Sequence, residues 1–227
     1  MRAAWARLIR YGFWLLYNPF AFSYDLVSWI VSMGEWREWQ RAALDHLPED
    51  GTILDLAHGT GNLQLDLLAR GRLAVGYDLS RSMGRITGRK LRREKRPVRL
   101  ARGMAQQMPF ADRMFTGIVS TFPSDFITAE ATIQECSRVL RAGGLLVIVP
   151  SATFTGGGLM RRALEFAYRV TGQQTGGDLS EALVKHMETF ARQRFSPYGF
   201  EVMVTSKPLN RSIVFVIVAR KVAEVKS

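Results

Sequence analysis

The sequence predicts an α/β fold built on an open parallel sheet, and three observations predict it. The first is the stretch Ile53-Leu54-Asp55-Leu56-Ala57-His58-Gly59-Thr60-Gly61-Asn62-Leu63. A short apolar run ends in a carboxylate, passes through a small-residue turn and enters the amphipathic segment 63–68. That is the pattern of a buried parallel strand, a tight loop and a helix start. The second is the next apolar run, Leu73 to Tyr77, which ends in Asp78, 23 residues after Asp55. The third is the continued alternation downstream. Residues 98–100, 115–121 and 145–149 read as strands, and 131–140 as a helix between them.

The first turn is built to hold a small molecule. Gly59 and Gly61 permit positive φ and carry no Cβ, so a ligand can lie directly on the backbone. In open α/β sheets, ligands occupy the crevice at the carboxyl ends of the strands. Asp78, ending the second strand, can accept hydrogen bonds from both hydroxyls of a ribose, each contributing roughly 1.5–3 kcal/mol. That geometry serves NAD and S-adenosylmethionine alike. A dinucleotide site wants G-x-G-x-x-G to seat a pyrophosphate, whereas this chain has D-x-x-x-G-x-G and only two glycines.

The run DLAHGTGNL, then GYDLS, then Met104-Ala105-Gln106-Gln107-Met108-Pro109-Phe110, then Val139-Leu140-Arg141-Ala142-Gly143-Gly144 resembles the ordered motif series of class I S-adenosylmethionine-dependent methyltransferases. The resemblance covers residues 24–150, with 200–220 similar in general pattern. Tyr24-Asp25-Leu26, Ser32-Met33-Gly34, Arg37 and Trp39 are similar to the ubiquinone/menaquinone-biosynthesis subfamily. The resemblance implies a Rossmann-like seven-stranded sheet with helices on both faces and S-adenosylmethionine as cofactor. It implies cofactor contacts from Asp55, His58, Gly59, Thr60, Gly61, Asp78, Leu79, Met104, Ala105, Gln106 and Thr121. His58 would pack beside the methionine moiety. Tyr24 would approach the cofactor, and Trp36 and Trp39 would wall the pocket or serve simply as core. The chain departs from the family pattern at Met104 and Thr116, where acidic residues are common. Asp125-Phe126 stands where the quinone subfamily carries an Arg-Asn pair.

At 227 residues, 47% hydrophobic and 22% charged, the chain suits a globular protein with a substantial core. The single cysteine, Cys136, excludes an internal disulfide and reads as a packed, inert thiol. Three scattered histidines give no metal-ligand spacing, so no metal is expected. A cytoplasmic location fits, with peripheral contact at the inner face of the membrane left open. The formal charge of +11 is concentrated between Arg81 and Arg102, where ten Lys/Arg face Glu94 alone, a net of +9. This block reads as a solvated helix face, as an anionic-lipid contact or as a nucleic-acid contact.

Residues 1–40 read as amphipathic, aromatic helices ahead of a domain spanning 41–227. Trp5, Leu8, Ile9, Phe13, Leu15 and Leu16 share one side of a helical wheel, with Arg7 and Arg10 opposite. The segment reads as a lid over the site or as a membrane-interface helix. The apolar run is too short to span a bilayer, since Asn18-Pro19 and Asp25 interrupt it. Residues 20–39 read as a second helical stretch. After the fifth strand, 159–170 and 179–194 read as two helices inserted as a cap over 151–199. Residues 200–204 and 213–219 then close the fold as an antiparallel hairpin.

Methyl transfer from a sulfonium is an in-line displacement that asks chiefly for alignment and exclusion of water. A general base is needed only where the acceptor must lose a proton, and the candidates are Asp125, His186, Tyr24 and Tyr168. Three functions stay open. One is a methyltransferase on a lipophilic acceptor, either an isoprenoid or aromatic quinone-like ring or a phospholipid headgroup. The others are an RNA methyltransferase using 81–102, and a non-catalytic binding module of the same fold.

Overall fold

The computed structural model describes residues 21–155 and 180–222. The expected N-terminal amphipathic helix, Tyr168 and the first helix of the expected insertion lie outside them. Five parallel strands form the body of the sheet: β1 (Thr52–Leu56), β2 (Leu73–Asp78), β3 (Leu100–Arg102), β4 (Phe115–Thr121) and β5 (Leu140–Val149). Three more follow: β6 (Ala152–Phe154), β7 (Phe200–Pro208) and β8 (Ser212–Lys221). The order is β3-β2-β1-β4-β5-β8, with β3 at one edge.

β7 runs antiparallel along one side of β8, from Phe200↔Lys221 to Pro208↔Ile213. The other side is shared, β5 pairing with 217–220 and β6 with 212–214. β6 therefore continues the line of β5. The sheet is seven strands wide, as the sequence predicts.

The described helices are α1 (Tyr24–Val31), α2 (Trp36–Arg41), α3 (Asn62–Ala69), α4 (Arg81–Arg93), α5 (Glu130–Val139) and α6 (Ser180–Phe195). Side chains alternate across each strand, so one sequence serves two cores. Leu54, Leu56, Ile118, Leu146 and Ile148 point to the face covered by Ile133 and Cys136 of α5 and by Ala191 and Phe195 of α6. Ile53, Val119, Val147 and Val149 point to the opposite face, against Trp39, Leu63, Leu67 and Leu91. Cys136 is fully buried, and burial, with Glu135 nearby, pushes its thiol up to about 12. It is the inert thiol expected.

Three expectations need correction. The helical stretch over 20–39 is two helices, because Met33 and Gly34 adopt φ of 50° and 88° and Gly34 N–H closes onto Trp29 O at 2.8 Å. The third strand lies at 100–102 rather than 98–100, since Leu100 to Arg102 pair with Gly76 to Asp78 while Val98 is exposed. The second helix of the expected cap, α6, is a layer helix. Ala191 and Phe195 are 0% and 1% exposed against the sheet. Burying them there outweighs any gain from standing over a cleft.

Candidate active site

The site forms where β1, β2 and β4 end. β1 leads into a turn in which Ala57, Gly59 and Gly61 all have positive φ, at 60°, 55° and 79°. The two glycines play different parts. A Cβ on Gly61 would stand 2.4 Å from Thr87 Cγ2, so this glycine lets the turn pack on α4. A Cβ on Gly59 would meet nothing within 4 Å. Gly59 alone offers the bare backbone on which a ligand can lie, which corrects the expectation that both do.

Asp78 fixes that turn from β2. Its Oδ2 accepts from Gly59 N at 2.9 Å and its Oδ1 from Ser80 N at 2.7 Å. Each carboxylate oxygen keeps acceptor capacity for a further donor. Leu79, the next residue, is 61% exposed, and Met104 is 56% exposed. The pairing of Asp78 with Arg102 brings the ends of β2 and β3 side by side, so these two exposed apolar residues follow neighbouring strand ends.

Asp55 is the unusual group. It is 2% exposed, and its Oδ2 finds no partner among the described residues. Burial first, and the Asp78 charge second, push its carboxyl up to about 8. A buried carboxylate left without a partner is costly, and a cationic ligand group beside it would remove that cost. This orphaned oxygen, next to the open Gly59 turn, fits the ammonium of S-adenosylmethionine.

The loop 103–108 is held from two sides. Tyr77 Oη donates to Met104 O at 3.2 Å. Glu135 Oε2 accepts from Met108 N at 2.6 Å, and Arg138 bridges Glu135, Met108 O and Phe110 O. The Arg138 guanidinium holds the Glu135 carboxyl below its ordinary value against the opposing effect of burial. Gly103 is obligatory, because a Cβ there would lie 2.0 Å from the hydroxyl of Tyr77, itself 1% exposed. Gly103→Ala is expected to lower stability by about 1–3 kcal/mol through overpacking, read from the midpoint of a urea melt.

Residues 53–144 match the family model described as "Methyltransferase domain". The chain is 35% identical over 139 residues to a demethylmenaquinone methyltransferase of Thermus thermophilus, a match covering 59% of this chain and 63% of that protein. It is also 35% identical over 144 residues to the enzyme of that name from a Mycobacterium species, covering 62% and 60%. Over these residues the chain is similar to a methyltransferase domain. It spans about three-fifths of the length of these curated relatives.

Among solved structures, the chain resembles the geranyl diphosphate C-methyltransferase of Streptomyces coelicolor, crystallised with S-adenosyl-L-homocysteine. That match has a TM-score of 0.54 at 12% identity and covers 82% of this chain and 78% of that one. A SAM-dependent methyltransferase of Methanosarcina mazei matches with a TM-score of 0.53 at 21% identity, covering 79% and 96%. These likenesses show the fold.

Asp55, Asp78, Gly59 and Leu79 lie at or just beyond the carboxyl ends of β1 and β2, with Met104 exposed, Ala105 buried and Gln106 half-buried in the loop after β3. Two residues expected at the cofactor also make contacts within the protein. Thr60 Oγ1 donates to Asp25 Oδ1 at 2.6 Å. His58, which lines one cleft with Asp78, has its Nδ1 2.9 Å from Gly59 O and its ring against the Cα side of Gly76. Burial lowers the His58 pKa, and the neighbouring Asp78 offsets this in part. Thr121, ending β4, accepts from Gln40 Nε2 at 3.1 Å.

The described base candidates lie on three different elements. Asp125 is exposed at the start of a 3-10 turn after β4, and His186 is exposed on α6. Tyr24 meets Trp36 edge-on, ring centroids 6.1 Å apart.

Two features escape sequence reading. One is an ionic latch: Asp25 on α1 accepts from Thr60, from Asn62 Nδ2 at 3.1 Å and from Lys90 Nζ at 2.6 Å. Burial alone would raise the Asp25 carboxyl, but Lys90, Thr60 and Asn62 together hold it below its ordinary value. The one signal in the chain is periodicity, since Lys90 sits beside the inward positions Thr87 and Leu91 rather than with the outward arginines.

The other is the part that Phe122 plays in the aromatic wall expected of Trp36 and Trp39. Phe122, at φ 50°, stacks on Trp36 with centroids 4.3 Å apart, and Trp39 lies 5.8 Å from Phe122. Trp39 is core, 2% exposed, its Nε1 donating to Ser212 Oγ at 2.7 Å. Thr116 serves the framework, its hydroxyl donating to Asp50 O at 2.9 Å.

Proposed function

We propose that this chain is an S-adenosylmethionine-dependent methyltransferase acting on a lipophilic small molecule, an isoprenoid or aromatic quinone-like ring or a phospholipid headgroup. The observation that carries the acceptor class is the aromatic wall of Tyr24, Trp36 and Phe122 just after β4, with Tyr24 next to the Asp25 that accepts from Thr60 of the glycine turn. The cofactor reading rests on Asp78 locked to Gly59 and on the partnerless oxygen of Asp55. The names of the curated relatives and the cofactor in the structural neighbour support both parts.

On this reading Asp78 takes the ribose diol, Leu79 and Met104 cover the adenine, and Gly59 and Asp55 receive the methionine end. When bound, the cofactor supplies an electrophilic methyl group. The chain's contribution is to align the acceptor atom at about 3–3.5 Å and to keep water out. Where the acceptor is a phenol or an enolisable carbon, Asp125 and Tyr24 are the groups bordering the end of β4 that could take its proton. Asp125-Phe126, in place of the quinone subfamily's Arg-Asn pair, points to an acceptor different from the relatives' own.

The test is incubation of the purified protein with methyl-tritiated cofactor and, separately, a total lipid extract, RNA and protein. Label is expected in the organic-soluble fraction. Label confined to RNA or protein would overturn the acceptor class.

A further inference from the structure

We propose that α1 and α4 together form a docking face for an anionic lipid bilayer, with the mouth of the cofactor cleft held against it. The proposal rests on the lipophilic-acceptor reading for its purpose, although its measurement does not.

α1 presents an uninterrupted apolar surface. Leu26, Trp29 and Ile30 are 60%, 61% and 58% exposed, with Val27 and Val31 beside them. Soluble surfaces scatter such residues singly, and a contiguous group marks an interaction site. From Leu26 to Val31 there is no charged side chain. The helix is not free to turn this surface inward, because Asp25 is latched to Thr60, Asn62 and Lys90, and Ser28 is buried on the inward side.

The Asp25–Lys90 pair also fixes what lies alongside. α4 carries Arg81, Arg85, Arg89, Arg92 and Arg93, all exposed, while Met83, Thr87 and Leu91 face in. Between α4 and β3 lies a cleft of about 310 Å³ lined by Arg81, Arg85, Arg92 and Arg102 over an apolar floor that includes Val98 and Leu100, with Asp78 and His58 at the end nearest the glycine turn. Guanidinium groups above apolar surface suit a phosphate headgroup with the start of its acyl region.

Charge decides among occupants. A second copy would bring +9 against +9 across residues 81–102, which opposes self-association. RNA would use the arginines but gains nothing from Leu26, Trp29 and Ile30. An anionic bilayer uses both halves: the apolar helix enters the headgroup boundary with its tryptophan at the interface, and the arginines meet the negative surface potential. Among the described residues no helix is long and apolar enough to cross a membrane, so the contact is peripheral.

The experiment is sedimentation of the full chain with vesicles of phosphatidylcholine alone and of phosphatidylcholine with about 30% phosphatidylglycerol, at low salt. Calorimetry with S-adenosylhomocysteine runs in parallel as a check on the fold. The chain is expected to pellet with the anionic vesicles. The pairs Leu26→Glu/Ile30→Glu and Arg89→Glu/Arg93→Glu are each expected to weaken that binding at least tenfold with nucleoside affinity unchanged. Brominated lipid should quench tryptophan emission less in Trp29→Phe.

The proposal is overturned if the wild-type chain stays in the supernatant, or if the Leu26→Glu/Ile30→Glu pair pellets like wild type. Equal binding to neutral vesicles, or salt-sensitive binding to RNA without binding to vesicles, also overturns it. Vesicle binding without nucleoside binding would sink the methyltransferase reading and leave this one standing.

Discussion

Replacing Asp78 with alanine is expected to weaken S-adenosylhomocysteine binding by ten- to a hundredfold. The carboxylate acts in two ways, and the substitution removes both. It would accept the ribose hydroxyls, worth roughly 1.5–3 kcal/mol for a charge-assisted bond. It also holds Gly59 N–H at 2.9 Å and Ser80 N–H at 2.7 Å, which sets the shape of the turn. Asp78→Asn separates the two, because it keeps one acceptor oxygen and loses the charge. Its affinity should fall between those of wild type and alanine. Calorimetry reads both, and an alanine variant that binds like wild type would remove the cofactor assignment.

Asp55→Asn should have the largest effect on stability, and its size depends on pH. The Asp55 carboxyl is pushed from 3.8 up to about 8 by burial and by Asp78. As pH rises through about 4 the unfolded chain ionises this group while the folded chain keeps its proton. Its contribution is therefore fully present below about pH 4 and lost progressively up to about pH 8. Each unit corresponds to about 1.4 kcal/mol, so the ceiling is on the order of 5 kcal/mol. Asp25, Asp66 and Glu135 are shifted downward and act oppositely, losing their contribution in acid. Comparison of wild type with Asp55→Asn cancels them. The variant should melt higher at about pH 8, match wild type near pH 4 and bind the nucleoside more weakly. Equal melting curves at about pH 8 would show that Asp55 is not held protonated. A cofactor ammonium beside Asp55 would favour its ionised form. Binding near neutral pH should then release a proton, visible as a dependence of calorimetric heat on the buffer's ionisation enthalpy.

Most of the sheet is legible in the chain because each strand is a short apolar run with a punctuated end. β1, β2 and β4 fall where the sequence places them, and Asp78 stands where a ribose acceptor is expected. What sequence does not supply is partnership across distance. Nothing in Asp25 or Lys90 announces that residues 65 positions apart meet at 2.6 Å. Gly59 and Gly61 look equivalent in the chain, yet one faces open space and the other faces Thr87. A histidine inside a ligand loop does not announce that its ring also fills the space that Gly76 leaves empty, as that of His58 does. The apolar residues of α6 do not reveal which surface they cover, and only the burial of Ala191 and Phe195 separates a layer helix from a cap.

The sheet leaves one flank unpaired at β3, a strand of only three residues that begins after Arg99 and ends on Arg102, both exposed. An open flank offers its unpaired amides to any extended chain that drifts by. Two guanidinium groups and so short a ladder make that template repellent to a copy of itself. The arginines at this margin thus guard the chain against stacking into fibrils, whatever they also bind.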